Sequence, residues 1–144
     1  MPIISYTTED DNCAPYKKYR YDAGWDLRSN NETFTLKSGA KVEIKTGIKV
    51  AIPKGYVGLL MPRSGLGTKY RIGLANTVGV IDCDYRGEVI VYLVNNGHTD
   101  LEIKQYDRVC QMLVMPVDLH AMRKVGVLRP TARDEEGFGS SGVE

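Results

Sequence analysis

The chain has 144 residues, 42% of them apolar and 26% charged, a globular composition that fits one ordinary domain and excludes a disordered or membrane-spanning chain. Nineteen Lys and Arg against eighteen Asp and Glu leave a net charge of +1, which argues against wholesale coating of nucleic acid but leaves room for a local cationic pocket. No apolar run approaches the roughly 20 residues that a spanning helix needs, and Met1-Pro2-Ile3-Ile4, followed by Glu9, Asp10 and Asp11, lacks the basic flank of a signal peptide.

In chain order, the first clear element begins at Val42. Val42, Ile44, Ile48, Val50 and Ile52 alternate with Lys41, Glu43, Lys45 and Lys49, a period of two with one face in and one face out. Pro53-Lys54-Gly55 reads as a turn and Tyr56 to Met61 as the next strand. One or two helical turns are expected around Leu66 to Tyr70, the only helix in prospect. Val89 to Val94 is a continuous apolar run rich in β-branched residues, which predicts a strand covered on both faces and ended by Asn95-Asn96-Gly97. Burial between subunits or a central place in a sandwich would each account for it. Leu101 to Ile103 predicts a short strand, and Val109 to Val117 a longer one with a polar intruder, Gln111. Fifteen glycines and six prolines punctuate these strands in the rhythm of a β-sandwich, barrel or jelly roll. The fold class is therefore all-β, with a body over residues 1–132 and a Gly/Ser-rich, flexible C-terminal arm over 133–144.

Cys13, Cys83 and Cys110 form no Cys-x-x-Cys pair, so a reducing cytoplasm is expected rather than a disulfide framework. His98 and His120 are too few and too far apart for a His-rich zinc site, and a Ser-His-Asp triad is poorly supplied. Carboxylates, arginines and backbone amides must carry any chemistry.

Several segments are equipped for it. Pro62-Arg63-Ser64-Gly65-Leu66-Gly67 follows a strand and could open a helix. An arginine fork, a hydroxyl and closely approaching backbone N–H groups suit phosphate oxygens, although an ordinary tight turn with a surface arginine has the same residues. In Asp82-Cys83-Asp84-Tyr85-Arg86-Gly87-Glu88, an extended backbone would point Asp82 and Asp84 to one face, where a carboxylate could act as a general base or help to hold a cation. A polar hairpin tip is the alternative. Gln111 needs hydrogen-bond partners if buried, and Arg108 would lie on the opposite face unless a bulge intervenes. Phe138, alone between Gly137 and Gly139, could stack on a flat ligand, or belong to a disordered end.

In this order the segments carry a specific resemblance. Asp22-Ala23-Gly24-Trp25-Asp26-Leu27, Pro62-Arg63-Ser64-Gly65-Leu66, Gly79-Val80-Ile81-Asp82-Cys83-Asp84-Tyr85-Arg86-Gly87, Arg108-Val109-Cys110-Gln111 and Gly137-Phe138-Gly139-Ser140-Ser141-Gly142 resemble the five motifs of the trimeric dUTPases, from about residue 22 to the C-terminus. The resemblance implies a jelly-roll homotrimer with three active sites between subunits, and Mg²⁺-assisted hydrolysis of dUTP to dUMP and pyrophosphate. It implies that Asp82 activates the attacking water and that Asp26 meets the metal through water. Arg63, Ser64 and Gly65 would hold phosphate oxygens, with Gln111 near the α-phosphate. Asn76 and the backbone from Gly79 through Ile81 to Tyr85 would read uracil, and Tyr85 would leave no room for a ribose 2′-hydroxyl. The arm would close over the nucleotide, Phe138 stacking on the base, Arg133 reaching the terminal phosphate, and Gly139, Ser140 and Ser141 adding contacts. No nucleic-acid or membrane partner is expected.

One departure is visible: Asp134-Glu135-Glu136 follows Arg133 where the family has glycines. Three carboxylates near a polyphosphate repel it unless they point outward or Mg²⁺ screens them. Two other functions compete. A dCTP deaminase would carry a glutamate five residues after the hairpin glycine, but Tyr92 stands there. A non-catalytic, partner-binding member would not need Asp26, Ser64, Asp82, Tyr85, Gln111 and Phe138 together, although a partner beside catalysis stays compatible with the sequence.

Overall fold

In the computed structural model, which describes residues 3–137, ten strands and one short α-helix follow one another along the chain. They are β1 (Ser5–Thr8), β2 (Trp25–Arg28), β3 (Phe34–Leu36), β4 (Lys41–Ala51), β5 (Tyr56–Pro62), α1 (Ser64–Tyr70), β6 (Ile72–Leu74), β7 (Gly79–Ile81), β8 (Glu88–Asn95), β9 (Leu101–Ile103) and β10 (Arg108–Pro116). Two four-stranded sheets, in the orders β1-β4-β8-β6 and β2-β10-β5-β7, pair antiparallel throughout, and β3 and β9 form a separate ribbon. The core between the sheets takes Ile44, Ile48, Val50, Ile72, Val89, Val91 and Leu93 from one side and Leu27, Leu60, Ile81, Val109 and Met112 from the other. This is the all-β sandwich that the punctuated strand pattern predicts.

The alternation in β4 folds as expected, with Ile44, Ile48 and Val50 buried and Ile52 just beyond the strand. The polar step in that row, Thr46, is also buried, and its hydroxyl donates to the Val89 carbonyl at 2.5 Å. The next residue, Gly47, has φ +71° at an irregularity in the β4–β8 register. Its N–H donates to the Glu88 carboxylate at 2.9 Å, while its carbonyl accepts from the Thr8 hydroxyl at 2.8 Å. The turn at Pro53-Lys54-Gly55 also forms, closed by Tyr56 N–H donating to the Pro53 carbonyl at 3.1 Å.

β8 forms where expected. Val89, Val91, Leu93 and Asn95 are buried, but Ile90 and Tyr92 are 37% and 44% exposed, so one chain covers a single face of this strand. Apolar residues on both faces leave the strand's parity undecided in the sequence. Asn95 fixes it, because its buried amide donates to the Leu36 and Thr99 carbonyls at 3.1 and 2.9 Å and accepts from Gly97 N–H at 2.9 Å. No slipped register would satisfy those groups, and leaving a buried amide unpaired costs about 1–3 kcal/mol.

The last strand ends at Pro116. From 117 to 136 the chain is exposed, including Leu119, Met122, Val127 and Leu128. Among the described residues no helix is long and apolar enough to cross a membrane.

Gly47 gives a stability test. A Cβ built there falls 2.8 Å from the Cys13 sulfur and 3.1 Å from the Asn30 side chain, on top of the unfavourable positive φ. Gly55 also has positive φ, at +84°, but nothing lies within 4 Å. Gly47→Ala is expected to lower the melting temperature by about 5 °C or more in calorimetry, and Gly55→Ala by clearly less, since only the first adds a steric clash to the backbone cost.

Candidate active site

Strand β10 is central in its sheet, and Gln111 on it faces Asp26 of β2 on one side and Met61 of β5 on the other. Antiparallel pairing thus brings together residues more than 80 positions apart. The Asp26 carboxylate accepts from Arg63 Nε at 2.9 Å through one oxygen and from Arg108 Nη1 at 3.1 Å through the other. Arg63 Nη1 also donates to the Arg108 carbonyl at 3.0 Å. One carboxylate between two guanidiniums leaves a local excess of one positive charge. All three side chains are partly screened, at 20%, 24% and 36% exposure for Asp26, Arg63 and Arg108. This is a cationic surface of the kind that receives an anion.

Arg108 reaches that surface because the β10–β2 register shifts between Arg108 and Cys110. Val109 and Cys110 are both buried, two successive inward residues, so Arg108 and Gln111 share one side. The bulge on which the sequence reading was conditional is present. Gln111 Nε2 donates to the Pro62 carbonyl at 3.0 Å, and a Cβ at Gly24 would fall 2.7 Å from Gln111 Oε1. Glycine at position 24 is therefore what lets the amide sit against β2. Burial pushes the Cys110 thiol up to about 12, so it is a neutral packing group.

Arg63 occupies the cap position before α1 in an extended conformation, φ −88° and ψ 138°, with no side-chain cap. Ser64 and Gly65, in the first turn, are exposed beside it.

The other group of predicted residues lies on and around β7, an edge strand paired only with β5 among the described residues. Gly79 and Ile81 are buried, and Val80 between them is 61% exposed. An edge strand leaves a row of backbone N–H and C=O groups unpaired, ready to read a planar ligand. Asn76 is exposed in the turn that enters β7. Asp82 and Asp84 do not lie on an extended strand. Tyr85 N–H closes a turn onto the Asp82 carbonyl at 3.2 Å, so the segment is a turn that crosses from β7 in one sheet to β8 in the other, with Asp82 exposed. The Tyr85 hydroxyl donates to the Glu88 carbonyl at 2.8 Å, folding the ring back over Gly87. A Cβ at Gly87 would run into that hydroxyl and lie 2.5 Å from Cζ.

These two groups do not meet within one chain. Gly58 pairs with Ile81 and Leu60 with Gly79, so β5 runs toward Arg63 while β7 runs toward Asp82. At about 3.3 Å per residue, Asp82 and Arg63 are separated by about 20 Å.

In the tail, Arg133 Nε donates to the Glu136 carbonyl at 2.9 Å, and Glu136 N–H returns to the Arg133 carbonyl at 3.0 Å. Asp134, Glu135 and Glu136 are exposed. Phe138, Gly139, Ser140 and Ser141 lie outside the described residues. Among the described residues, no cluster of three or more His, Cys, Asp or Glu side chains is placed to hold a metal.

The sequence reading did not single out Gly24 or Gly87, whose importance lies in what stands beside them. Only the Val109-Cys110 pair, two apolar residues breaking alternation before Gln111, signalled the bulge.

The dUTPase family model matches residues 11–142. The deoxyuridine 5'-triphosphate nucleotidohydrolase of Tropheryma whipplei (strain Twist) is 43% identical over 129 residues, 89% of this chain and 88% of its own length. That of Clostridium novyi (strain NT) is 37% identical over 143 residues, covering 99% of this chain and 100% of the relative. Among solved structures, the dUTPase of Staphylococcus bacteriophage 80alpha with dUpNHpp superposes with a TM-score of 0.88 at 27% identity, over 99% of this chain and 100% of the other. A mutant dUTPase from phage phi11 of S. aureus, whose structure describes a structural Mg(II) ion, gives 0.78 at 25% identity, over 88% and 99%. With a family model that spans almost the whole chain and places all five motifs within it, the chain belongs to the dUTPase family.

Proposed function

We propose that the chain hydrolyses dUTP to dUMP and pyrophosphate, and that each active site is completed by a second copy in a homotrimer. The separation of about 20 Å between Arg63 and Asp82 carries the second half of this reading. The arginine-rich end and the base-reading edge are each formed, but one chain cannot apply both to a nucleotide. The exposed apolar residues Leu119, Met122, Val127 and Leu128 fit an arm that leaves its own body for another copy.

At the β7 edge, backbone groups from Gly79 to Tyr85 and the Asn76 amide bind uracil. The Tyr85 ring, held by the Glu88 carbonyl and by the absence of a Cβ at Gly87, fills the space of a ribose 2′-hydroxyl. Steric refusal is needed because a roomy apolar pocket rejects one added hydroxyl only weakly. Asp82, exposed in the turn after β7, takes a proton from water. The water oxygen then bonds to the α-phosphorus, and the bond from that phosphorus to the bridging oxygen breaks, releasing pyrophosphate. From the other copy, Arg63, Arg108, Ser64, Gly65 and Gln111 hold the phosphate oxygens. The arm of residues 133–144 closes over the nucleotide, with Arg133 at the terminal phosphate, Phe138 on the base and Gly139, Ser140 and Ser141 alongside.

The residues fit a magnesium ion that arrives with the triphosphate. Each Asp26 oxygen has given one acceptor site to an arginine and keeps another for a water of the hydrated ion. Held there through water, a magnesium ion would supply positive charge against the phosphate oxygens.

Pyrophosphate release with Mg²⁺ from dUTP, dCTP, dTTP and UTP tests the reading. Release from dUTP alone is expected, with Asp82→Asn at least about a hundredfold slower. Mixed trimers refolded from Asp82→Asn and Arg63→Ala chains should regain activity that neither variant shows alone, because some sites then combine two intact halves. No turnover of dUTP by folded wild type would falsify the enzyme reading, and full activity in a monomer would overturn the shared site.

Two further outcomes follow from the geometry. Gly87→Ala displaces the Tyr85 ring, so the preference for dUTP over UTP in kcat/KM should fall about tenfold or more, with the uracil contacts retained. Neutralising Asp134, Glu135 and Glu136 should lower the KM for dUTP a few fold at low salt and less at high salt. An unchanged KM at every ionic strength would show that these exposed acids face away from the polyphosphate.

A further inference from the structure

Directly across the β2–β10 pair, Arg28 stands opposite Arg108. Like charges facing each other on neighbouring strands destabilise a sheet, so this pair needs a reason to stay together. The reason is the aromatic ring of Tyr16. The Arg108 guanidinium lies 5.0 Å from the ring centroid and that of Arg28 lies 5.5 Å from it. The electron-rich ring face attracts both cations and offsets their mutual repulsion.

We infer that Tyr16 is a positioning residue of the phosphate-binding end: its ring holds Arg108 so that Asp26 keeps Arg108 and Arg63 in one preset arrangement. The inference rests on the proposed reading of that end as the seat of the polyphosphate.

The placement of Tyr16 is itself fixed by the backbone. Its N–H donates to the Asp26 carbonyl at 3.0 Å and its carbonyl accepts from Asp26 N–H at 2.8 Å. The residue that steadies Arg108 through its ring therefore also flanks, through its main chain, the carboxylate that Arg108 grips. Arg28 is tied down separately, Nη1 donating to the Tyr106 carbonyl at 3.0 Å. Arg108 has less to hold it. Its side chain is 36% exposed, and its link to Asp26 is a single contact at 3.1 Å to one nitrogen. A long side chain fixed at one point keeps rotational freedom, and a second contact against its flat face removes much of it. Without the ring, Arg108 faces Arg28 unscreened and swings away from Asp26. The phosphate-binding end then has to be reordered each time substrate arrives.

Tyr16→Leu and Tyr16→Phe separate this role from simple packing, because both keep the backbone bridge and only Phe keeps an aromatic face. Tyr16→Leu is expected to raise the KM for dUTP about fivefold while kcat stays within about twofold, the size of effect that loss of an exposed cation–aromatic contact gives. Tyr16→Phe should restore KM close to the wild-type value. Adding Arg28→Gln to Tyr16→Leu should recover part of the loss, since the repelling charge is gone. NMR of the arginine Nε–H groups supplies a readout independent of turnover: the Arg108 signal should exchange with water faster in Tyr16→Leu than in wild type or Tyr16→Phe. Melting temperatures of all variants would establish that the comparison is between folded proteins. Unchanged Arg108 exchange in Tyr16→Leu, or Tyr16→Phe as impaired as Tyr16→Leu, would overturn the proposal. If wild type failed to hydrolyse dUTP, the substrate reading would fall, and the Arg108 signals would still decide whether Tyr16 holds that guanidinium.

Discussion

The Asp26 carboxylate, shared between Arg63 at the end of β5 and Arg108 at the start of β10, ties together the cationic half of the site. A fully exposed ion pair of this kind would contribute about 0–1 kcal/mol. Fully buried, it would cost more in lost hydration than the attraction returns. At 20% exposure for the carboxylate, the cluster lies between these limits. Its importance is in geometry more than in stability. Two guanidiniums would repel and drift in water, whereas one carboxylate between them sets their spacing before any ligand arrives. Binding an anion then requires little reordering of side chains, which is where preorganised sites gain over flexible ones.

Strand pairing sets the other constraint. In an antiparallel pair, residues that follow one strand's end and residues that follow its partner's end necessarily leave in opposite directions. β5 delivers Arg63 and Ser64 to one edge of the sandwich, and β7 delivers Asp82 and Tyr85 to the other. Loop rearrangement cannot close a gap of about 20 Å between groups anchored on paired strands. In the proposed reading, a second copy brings the two halves together, and oligomerisation becomes part of the chemistry. Two glycines serve this arrangement by what they lack. Gly24 admits the Gln111 amide against β2, and Gly87 admits the Tyr85 ring against its own turn.

Much of this was legible in the sequence, for identifiable reasons. Period-two patterning marked β4, turn residues marked its end, and a polar residue in an apolar run marked Gln111 as deserving a partner. Among the short strands, β9 was legible from its apolar residues Leu101 and Ile103, whereas β1, β3 and β6 were not, since segments of three or four residues display little period and their pairing partners decide their state. β8 was legible as a strand, but both of its faces are apolar, and the face that packs within its own chain is marked by the hydrogen bonds of the buried Asn95. Asp82 and Asp84 were legible as carboxylates, but only the backbone bond from Tyr85 to Asp82 shows that they occupy a turn and not a strand. The five motifs identified the family because they preserve side chains. They are silent on residues that act by position, such as Tyr16 and Arg28.

The bulge in β10 shows why sequence spacing alone cannot place a functional side chain. With regular alternation, residues 108 and 111 point to opposite faces, and Arg108 would face the core, where an unpaired guanidinium is prohibitively costly. Inserting one extra inward residue turns Arg108 outward beside Gln111 and buries both Val109 and Cys110. The same insertion sets Arg108 across from Arg28, a like-charge pairing that would be unfavourable in an ordinary sheet. Placing the arginine at the proposed phosphate-binding end thus creates an electrostatic conflict within the sheet. The neighbouring Tyr16, bridged to β2 by two backbone hydrogen bonds, stands where an aromatic ring can relieve it.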